Sequence, residues 1–331
     1  MHLSSITLNL CLGLATLALV IVLMLFGDVA MSPAMWLDAV VHPQAIAGQI
    51  AWGIRLPREL VAAGVGAMLG LAGAVMQGLL RNPLAEPGLL GVSAGAGLGA
   101  SVAIVLGIGL VPFAVEGFAL LGALAVAIVL LAFVSRFPQR QSLILLGVAI
   151  SALCGALMAL VFNLAPSPVT LSEIIGWTMG SVENRTWSDA GFCVGGLAVG
   201  GLLVWQTGRG LRILTLGEET ARSMGVDMVR LTQGLVVASS LLAGLSVAVA
   251  GIIGFVGLAA PHFVRAMGIK DPYRLILPST LTGAVMAVAA DGLLRVLPGT
   301  GDLKLGVLTS LVGAPLFAVL AFRSARSWMQ D

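Results

Sequence analysis

The chain has 331 residues, of which 59% are hydrophobic and 10% charged, with a mean hydropathy of +1.07 and a formal net charge of +2. A chain this apolar leaves no room for a sizeable soluble catalytic domain, and a net charge this small gives no sign of a nucleic-acid partner. Its three cysteines, Cys11, Cys154 and Cys193, lie in apolar stretches with neither metal-ligand spacing nor a disulfide framework, and read as small packing residues.

Nine stretches carry no Asp, Glu, Lys or Arg: 1–27, 60–80, 87–115, 117–135, 141–172, 190–208, 231–264, 275–290 and 305–322. A bilayer core is about 30 Å thick and takes about 20 apolar residues of helix to cross. A soluble core helix would show a charge every turn or so on its outer face. The pattern therefore predicts an all-α polytopic membrane protein, 1–331 forming a single domain, because a helix satisfies its own backbone in lipid.

In chain order the predicted spans are 5–27, 57–80, 88–110, 117–135, 141–163, 190–206, 231–250, 254–267, 274–296 and 305–322. The first lacks a basic leader, and its apolar run from Ile6 to Phe26 is long, so it reads as a retained helix rather than a signal peptide. The 231–264 run exceeds one crossing and is broken by Gly251, Gly254, Gly257 and Pro261. Its second piece is short, and is tolerable only if packed inside protein.

Basic residues set the orientation. With the N-terminus cytoplasmic, the inner segments hold Arg81, Arg136, Arg140, Arg209, Arg212, Arg222, Arg230, Arg265, Lys270, Arg274, Arg323 and Arg326. The outer side holds Arg55, Arg58, Arg185, Arg295 and Lys304. Ten spans then leave both termini cytoplasmic. Glycines spaced by four, such as Gly66 and Gly70 or Gly196 and Gly200, suit close helix packing.

Three connecting segments stand out. The outer segment 28–56 contains Trp36, His42 and Trp52. In the outer segment 164–189, Pro166 and Pro168 stop the preceding span, and Leu171 to Met179 can form a short helix at the membrane surface. The inner segment 207–230 is the longest on its side. Glu218 and Arg222 can pair at i,i+4 there, and Gly225 is placed to end the helix. That element suits docking to a soluble partner, and it also suits an ordinary solvated loop.

Missing chemistry narrows the function. There is no Gly-x4-Gly-Lys-Ser/Thr loop, so no ATPase site, and no His-Glu-x-x-His motif. His2, His42 and His262 are scattered. An enzyme is not expected. Glu59, Asp291 and Arg295 are the ionisable groups nearest mid-membrane, all toward outer span ends, which disfavours ion coupling. A pore powered by another chain is left.

The run from Arg55 to Ala100, RLPRELVAAGVGAMLGLAGAVMQGLLRNPLAEPGLLGVSAGAGLGA, resembles the FecCD permeases. So do LGEETARSMGVD (216–227), GIIGFVGLAAPHFVR (251–265) and GVLTSLVGAPLF (306–317), in the family's order. These are membrane subunits of type II ABC importers for cobalamin, haem and ferric siderophores.

The resemblance implies ten membrane helices per subunit with short interfacial and coupling helices, two permease copies (or a paralogous pair), and a substrate path along their interface, lined by spans five and ten. It implies a coupling helix carrying Leu216, Gly217, Glu218, Glu219, Ala221, Arg222 and Gly225. It likens 171–179 to a gating helix, Asn82-Pro83-Leu84 to the inner gate, and Arg140 and Gln141 to the turn facing that gate. It matches Arg55, Arg58 and Arg295 to arginines that receive a binding protein's glutamates. Snorkelling to the interface is the other reading of those three. One departure concerns the family's Glu-Leu-Pro before the last span, here Asp302-Leu303-Lys304, which leaves the loop's shape open.

The expected partners are cytoplasmic ABC ATPases, a periplasmic binding protein and the second permease, in a bacterial inner membrane. This chain itself binds no cofactor, ATP and Mg belonging to the ATPase. The path is expected to be wide and apolar, with Met158, Phe162 and Met179 in its lining, and the cargo a ferric siderophore first, then haem or cobalamin. An ion-coupled secondary transporter or channel is the alternative class.

Overall fold

The computed structural model describes residues 5–27, 29–137, 140–296 and 303–328. His2 and Asp302 lie outside the described residues, as do the side chains of Arg140, Arg323 and Arg326. Among the described residues the secondary structure is helical throughout, with no strand.

The helices are α1 (Ser5–Met24), α2 (Pro33–Val41), α3 (Ile46–Gly48), α4 (Leu56–Leu80), α5 (Val92–Val105), α6 (Ala114–Arg136), α7 (Arg140–Asn163), α8 (Pro168–Thr178), α9 (Trp187–Thr207), α10 (Arg209–Leu214), α11 (Glu218–Ser223), α12 (Met228–Ala250), α13 (Val256–Ala266), α14 (Pro272–Val296) and α15 (Leu305–Trp328). Each predicted apolar segment holds a helix. Seven helices among the described residues are long and apolar enough to cross a membrane.

Several boundaries differ from the sequence expectation for physical reasons. The second span does not begin at 57. Helix runs continuously over Ile46–Leu80. Pro57 lacks an N–H and crowds the preceding turn. That turn is widened into a π-helical stretch, Gln49–Arg55, so the helix passes through the proline instead of starting at it. The third span is shorter than 88–110. Left-handed glycines at Gly91 and Gly107 limit α5, and 3₁₀ turns at Pro87–Leu90 and Ile108–Leu110 flank it. Pro168 does not merely stop the preceding span. It is the first residue of α8, whose N-cap Ser167 accepts from the Thr170 N–H at 3.1 Å.

α4 is the centre of the molecule. Nearly all of it is buried, and α14, α12, α13 and α9 pack around it. α4 and α14 approach through small residues: a methyl group on Gly66 would collide with the Gly283 carbonyl, and one on Gly283 with that of Gly66. The short α13 is buried over its first six residues, Val256 to Pro261, as suits a piece too short to cross alone. By contrast α1 and α7 turn long apolar faces outward, with Leu10, Leu14, Leu145 and Leu153 more than half exposed. Such faces suit acyl chains or a neighbouring subunit.

Candidate functional site: a backbone crossing, an outer charge cluster and an inner knuckle

Three distant segments meet at one point. α8 is followed by Gly180 (φ 71), α12 by Gly251 (φ 70), and Gly306 sits in the first turn of α15. The Ser181 N–H donates to the Ala250 carbonyl at 2.7 Å, and the Gly306 N–H to the Gly180 carbonyl at 3.2 Å. A methyl group on Gly180 would strike the Ile252 carbonyl, and one on Gly251 that of Trp177. One on Gly306 would strike those of both Met179 and Ile252. Only glycine lets three backbones touch in this way.

The non-helical residues 251–254 join α12 to α13. Next to them the Ala250 carbonyl takes the Ser181 N–H and the Gly180 carbonyl takes the Gly306 N–H, and bonding of this kind between segments is how irregular backbone survives at membrane depth. At the start of α13 the Phe255 N–H donates to the Glu86 carboxylate, so an acidic group sits at a helix N-terminus. Burial pushes the Glu86 carboxyl above its ordinary range, and the Phe255 N–H offsets part of that.

Beside the crossing is a hollow of about 570 Å³, lined by Thr178, Met179, Ile252, Gly254, Gly306, Ser310, Leu311 and Pro315. Met179 lines this hollow. Met158 and Phe162 are half-buried on α7, Met158 beside Gly97. Lys304 Nζ reaches Glu183 Oε2 at 2.8 Å, so the residue that departs from the family's proline ties the start of α15 to the loop after α8.

At the same end of the bundle Arg55, Arg58 and Arg295 come together, but their guanidinium groups turn inward. Arg55 is 5% exposed and donates to the Met24 carbonyl at 2.7 Å and to the Val29 carbonyl, with Trp36 against it. Arg58 grips Asp291 through Nε (3.0 Å) and Nη2 (2.8 Å). Arg295 bonds Asp291 through Nε at 3.0 Å and bonds Glu59 as well. Asp291 and Glu59 are fully buried. The cluster pins α4 to α14, and through the Leu23 carbonyl to α1. Arg58, with a side chain 20% exposed, is the most accessible of the three; the Arg295 side chain is 9% exposed.

The knuckle at the other end is built as spacing implied. Arg222 Nη2 meets Glu218 Oε1 at 2.8 Å on α11. Gly217 (φ 109) opens the helix, and Gly225 (φ 83) closes it with its N–H on the Arg222 carbonyl at 2.9 Å. Ala221 is buried and seats α11, whereas Leu216, Glu219 and Arg222 are exposed.

The turn after α4 begins with left-handed Arg81 (φ 49). Asn82 Oδ1 then accepts the Leu84 N–H at 2.9 Å, with Pro83 exposed at the tip. Gln141 is exposed in the first turn of α7. Farther along, Gly147 of α7 packs on the Leu89 carbonyl, so the turn after α4 is braced against the same helix that carries Gln141.

Sequence reasoning missed the glycine crossing and Glu86. Each glycine was visible beside a helix end. Their meeting depends on folding across most of the chain, and no local spacing encodes it.

The family model described as the FecCD transport family matches residues 15–323. The vitamin B12 import system permease protein BtuC of Salmonella schwarzengrund (strain CVM19633) is 39% identical over 322 residues, 96% of this chain and 95% of that one. BtuC of Citrobacter koseri is 39% identical over 318 residues, 95% of this chain and 94% of that one. Among solved structures, one described as an inward-facing metal-chelate type ABC transporter superposes with a TM-score of 0.83 at 30% identity, covering 96% of this chain and 99% of that one. PsaBC from Streptococcus pneumoniae, at 20% identity and a TM-score of 0.54 over 80% of this chain and 90% of that one, shares the fold alone. This chain, helical, multi-pass and matched over nearly its whole length, belongs to the FecCD transport family.

Proposed function

We propose that this chain is the permease subunit of an ATP-binding-cassette importer of the bacterial inner membrane, moving cobalamin or a comparably bulky metal chelate inward. The observation that carries the reading is its end-to-end similarity to vitamin B12 permeases. That similarity moves cobalamin ahead of the ferric siderophore expected from the sequence. The glycine crossing and the exposed α10–α11 knuckle support it, being a joint that can move and a surface that can drive it.

In this reading ten helices cross, both termini are cytoplasmic, and α7 and α15 of two copies face one path. A binding protein delivers cargo beside α8 and Lys304. Two ATPase subunits close on ATP and push Leu216 to Gly225. The crossing at Gly180, Gly251 and Gly306 carries that push to the turn at Asn82, Pro83 and Leu84 opposite Arg140 and Gln141. The pore shifts between states because ATP and cargo bind those states unequally. Glu59 and Asp291 hold arginine partners, which argues against a proton- or sodium-binding pair.

The test is uptake into vesicles holding the permease with its ATPase and binding protein, using labelled cyanocobalamin, haem and a ferric hydroxamate. We expect ATP-dependent uptake, strongest for cyanocobalamin. Robust uptake driven by a proton or sodium gradient without the ATPase would overturn the reading in favour of a secondary transporter.

A further inference from the structure

A crevice of about 750 Å³ opens between α1, α4, α9 and α14, away from the α7 and α15 faces assigned to a second copy. That volume falls in the range of sites for whole small molecules, about 300–1,000 Å³. Its depth is apolar, walled by Leu71, Leu197, Val204 and Ile276. Its rim beside α10 carries Arg212, Arg274, Tyr273 and Trp205. Trp205 is 60% exposed in the last turn of α9, and Tyr273 lies in the first turn of α14, so the rim carries the aromatic pair typical of a membrane interface.

The rim also holds surplus positive charge. Arg212 Nε bonds Asp271 at 2.7 Å while its guanidinium stacks on Tyr273 and half the side chain stays exposed. The other Asp271 oxygen accepts the Tyr273 and Arg274 backbone N–H groups. The Arg274 side chain is exposed and has no partner in the chain among the described residues. Within the crevice, Asn9 of α1 points a polar group inward, and its Oδ1 is buried without a partner. It lies about 6 Å along the helix from Ser5.

We propose that this crevice is a binding site for one anionic phospholipid. The phosphate sits on Arg212 and Arg274, Asn9 Oδ1 accepts from a headgroup hydroxyl, and an acyl chain fills the apolar depth. Two cations at the rim over an apolar slot, in a chain that lies in a membrane, complement a lipid anion and no other abundant neighbour as well.

The test is native mass spectrometry of the full-length detergent-purified chain titrated with dioleoyl phosphatidylglycerol or dioleoyl phosphatidylcholine. We expect phosphatidylglycerol to bind at least about tenfold more tightly, a ratio consistent with two surface arginines. Arg274→Gln, at an exposed and unpaired position, should lose about fivefold, and Arg212→Gln with Arg274→Gln should abolish the preference. A methyl group on Gly201, which lines the crevice, would meet open space, so Gly201→Leu should fill the crevice and weaken binding of both lipids without a change in melting temperature. Equal affinity for the two lipids, or unchanged affinity in the double variant, would overturn the proposal. So would displacement by millimolar inorganic phosphate, which would mean an anion site without an acyl chain. A change in the number of permease copies in Gly201→Leu would overturn it too, assigning the crevice to a chain–chain contact.

Discussion

Arg58 holds Asp291 through two nitrogens, Nε at 3.0 Å and Nη2 at 2.8 Å, and so joins the start of α4 to the end of α14. Arg295 shares the same carboxylate and reaches Glu59 besides. A buried ion pair is weak evidence of net stability, but removing one member leaves an uncompensated charge and costs about 3–5 kcal/mol. Asp291→Asn should therefore lower the melting temperature sharply, whether or not a binding protein is present. Arg58→Gln should cost less, about 1.5–3 kcal/mol, because Asp291 keeps Arg295. The same geometry bears on docking. If the outer face receives acidic residues of a binding protein, Arg58 is the arginine placed to do it. Arg58→Gln should then slow association at low salt, whereas reversing Arg55 or Arg295 should damage the fold first. Equal melting temperatures for wild type and Asp291→Asn would remove the structural role given to this cluster.

The glycine crossing makes a second prediction. Gly306→Ala drives a methyl group into two carbonyl oxygens that belong to separate segments, neither able to retreat alone. Overpacking of this kind costs about 1–3 kcal/mol. We expect reduced thermal stability and loss of uptake even where the protein reaches the membrane. Gly195→Ala is the control, since a methyl group there meets nothing within 4 Å, and it should transport normally. Normal uptake by Gly306→Ala would show that the three backbones do not need to touch.

What the sequence disclosed and what it hid follow one physical division. Charge-free runs made the helices legible, since lipid tolerates few charges along a span. Glu218 and Arg222 were legible as a pair because one helix turn joins them. Gly225 was legible because a helix end favours a left-handed residue. Arg55, Arg58 and Arg295 were visible as outer basic residues, but the sequence reading did not pair Arg58 and Arg295 with Asp291 and Glu59, or Arg55 with the Met24 and Val29 carbonyls. Asp291 and Arg295 are an i,i+4 pair that spacing could have offered, but the Arg58–Asp291 and Arg295–Glu59 contacts join helices 233 and 236 positions apart, which no local pattern encodes. The π-helical passage through Pro57 was hidden for a different reason. Proline usually starts a helix, and only packing decides when a helix goes through it instead.

Glu86 gives a prediction in pH. A carboxyl whose pKa is raised in the folded chain holds its proton more tightly there than when unfolded. Its stabilising contribution is full below the ordinary value of 4.5 and is lost as pH rises through the higher folded value. Glu86→Gln removes the buried charge and keeps an oxygen for the Phe255 N–H. It should melt above wild type at pH 8, and the gap should close toward pH 4.5. Glu86→Ala should be less stable than Glu86→Gln at both pH values, by about 1–3 kcal/mol, because that N–H loses its acceptor. A gap between Glu86→Gln and wild type that does not change with pH would show that the Glu86 charge carries no cost.

The last prediction concerns the knuckle at Glu218 to Gly225. Gly225 sits at φ 83 and donates its N–H to the Arg222 carbonyl. Proline forbids both the dihedral and the bond. An alanine at this position would cost about 1–2 kcal/mol for the left-handed conformation alone, with no clash, since a methyl group meets nothing within 4 Å. Arg222 is different: its side chain is 59% exposed, and its i,i+4 pair with Glu218 is worth only about 0.3–0.5 kcal/mol. Arg222→Glu should therefore leave the fold intact while placing a third acid on the face that would meet the ATPase. In reconstituted vesicles we expect Gly225→Pro and Arg222→Glu to abolish ATP-driven uptake, by uncoupling hydrolysis or by releasing the ATPase, and Gly225→Ala to fall between them and wild type. Affinity for the binding protein, measured at the opposite face, should be unchanged in all three. Full uptake by both Gly225→Pro and Arg222→Glu would mean that the ATPase does not push on α11.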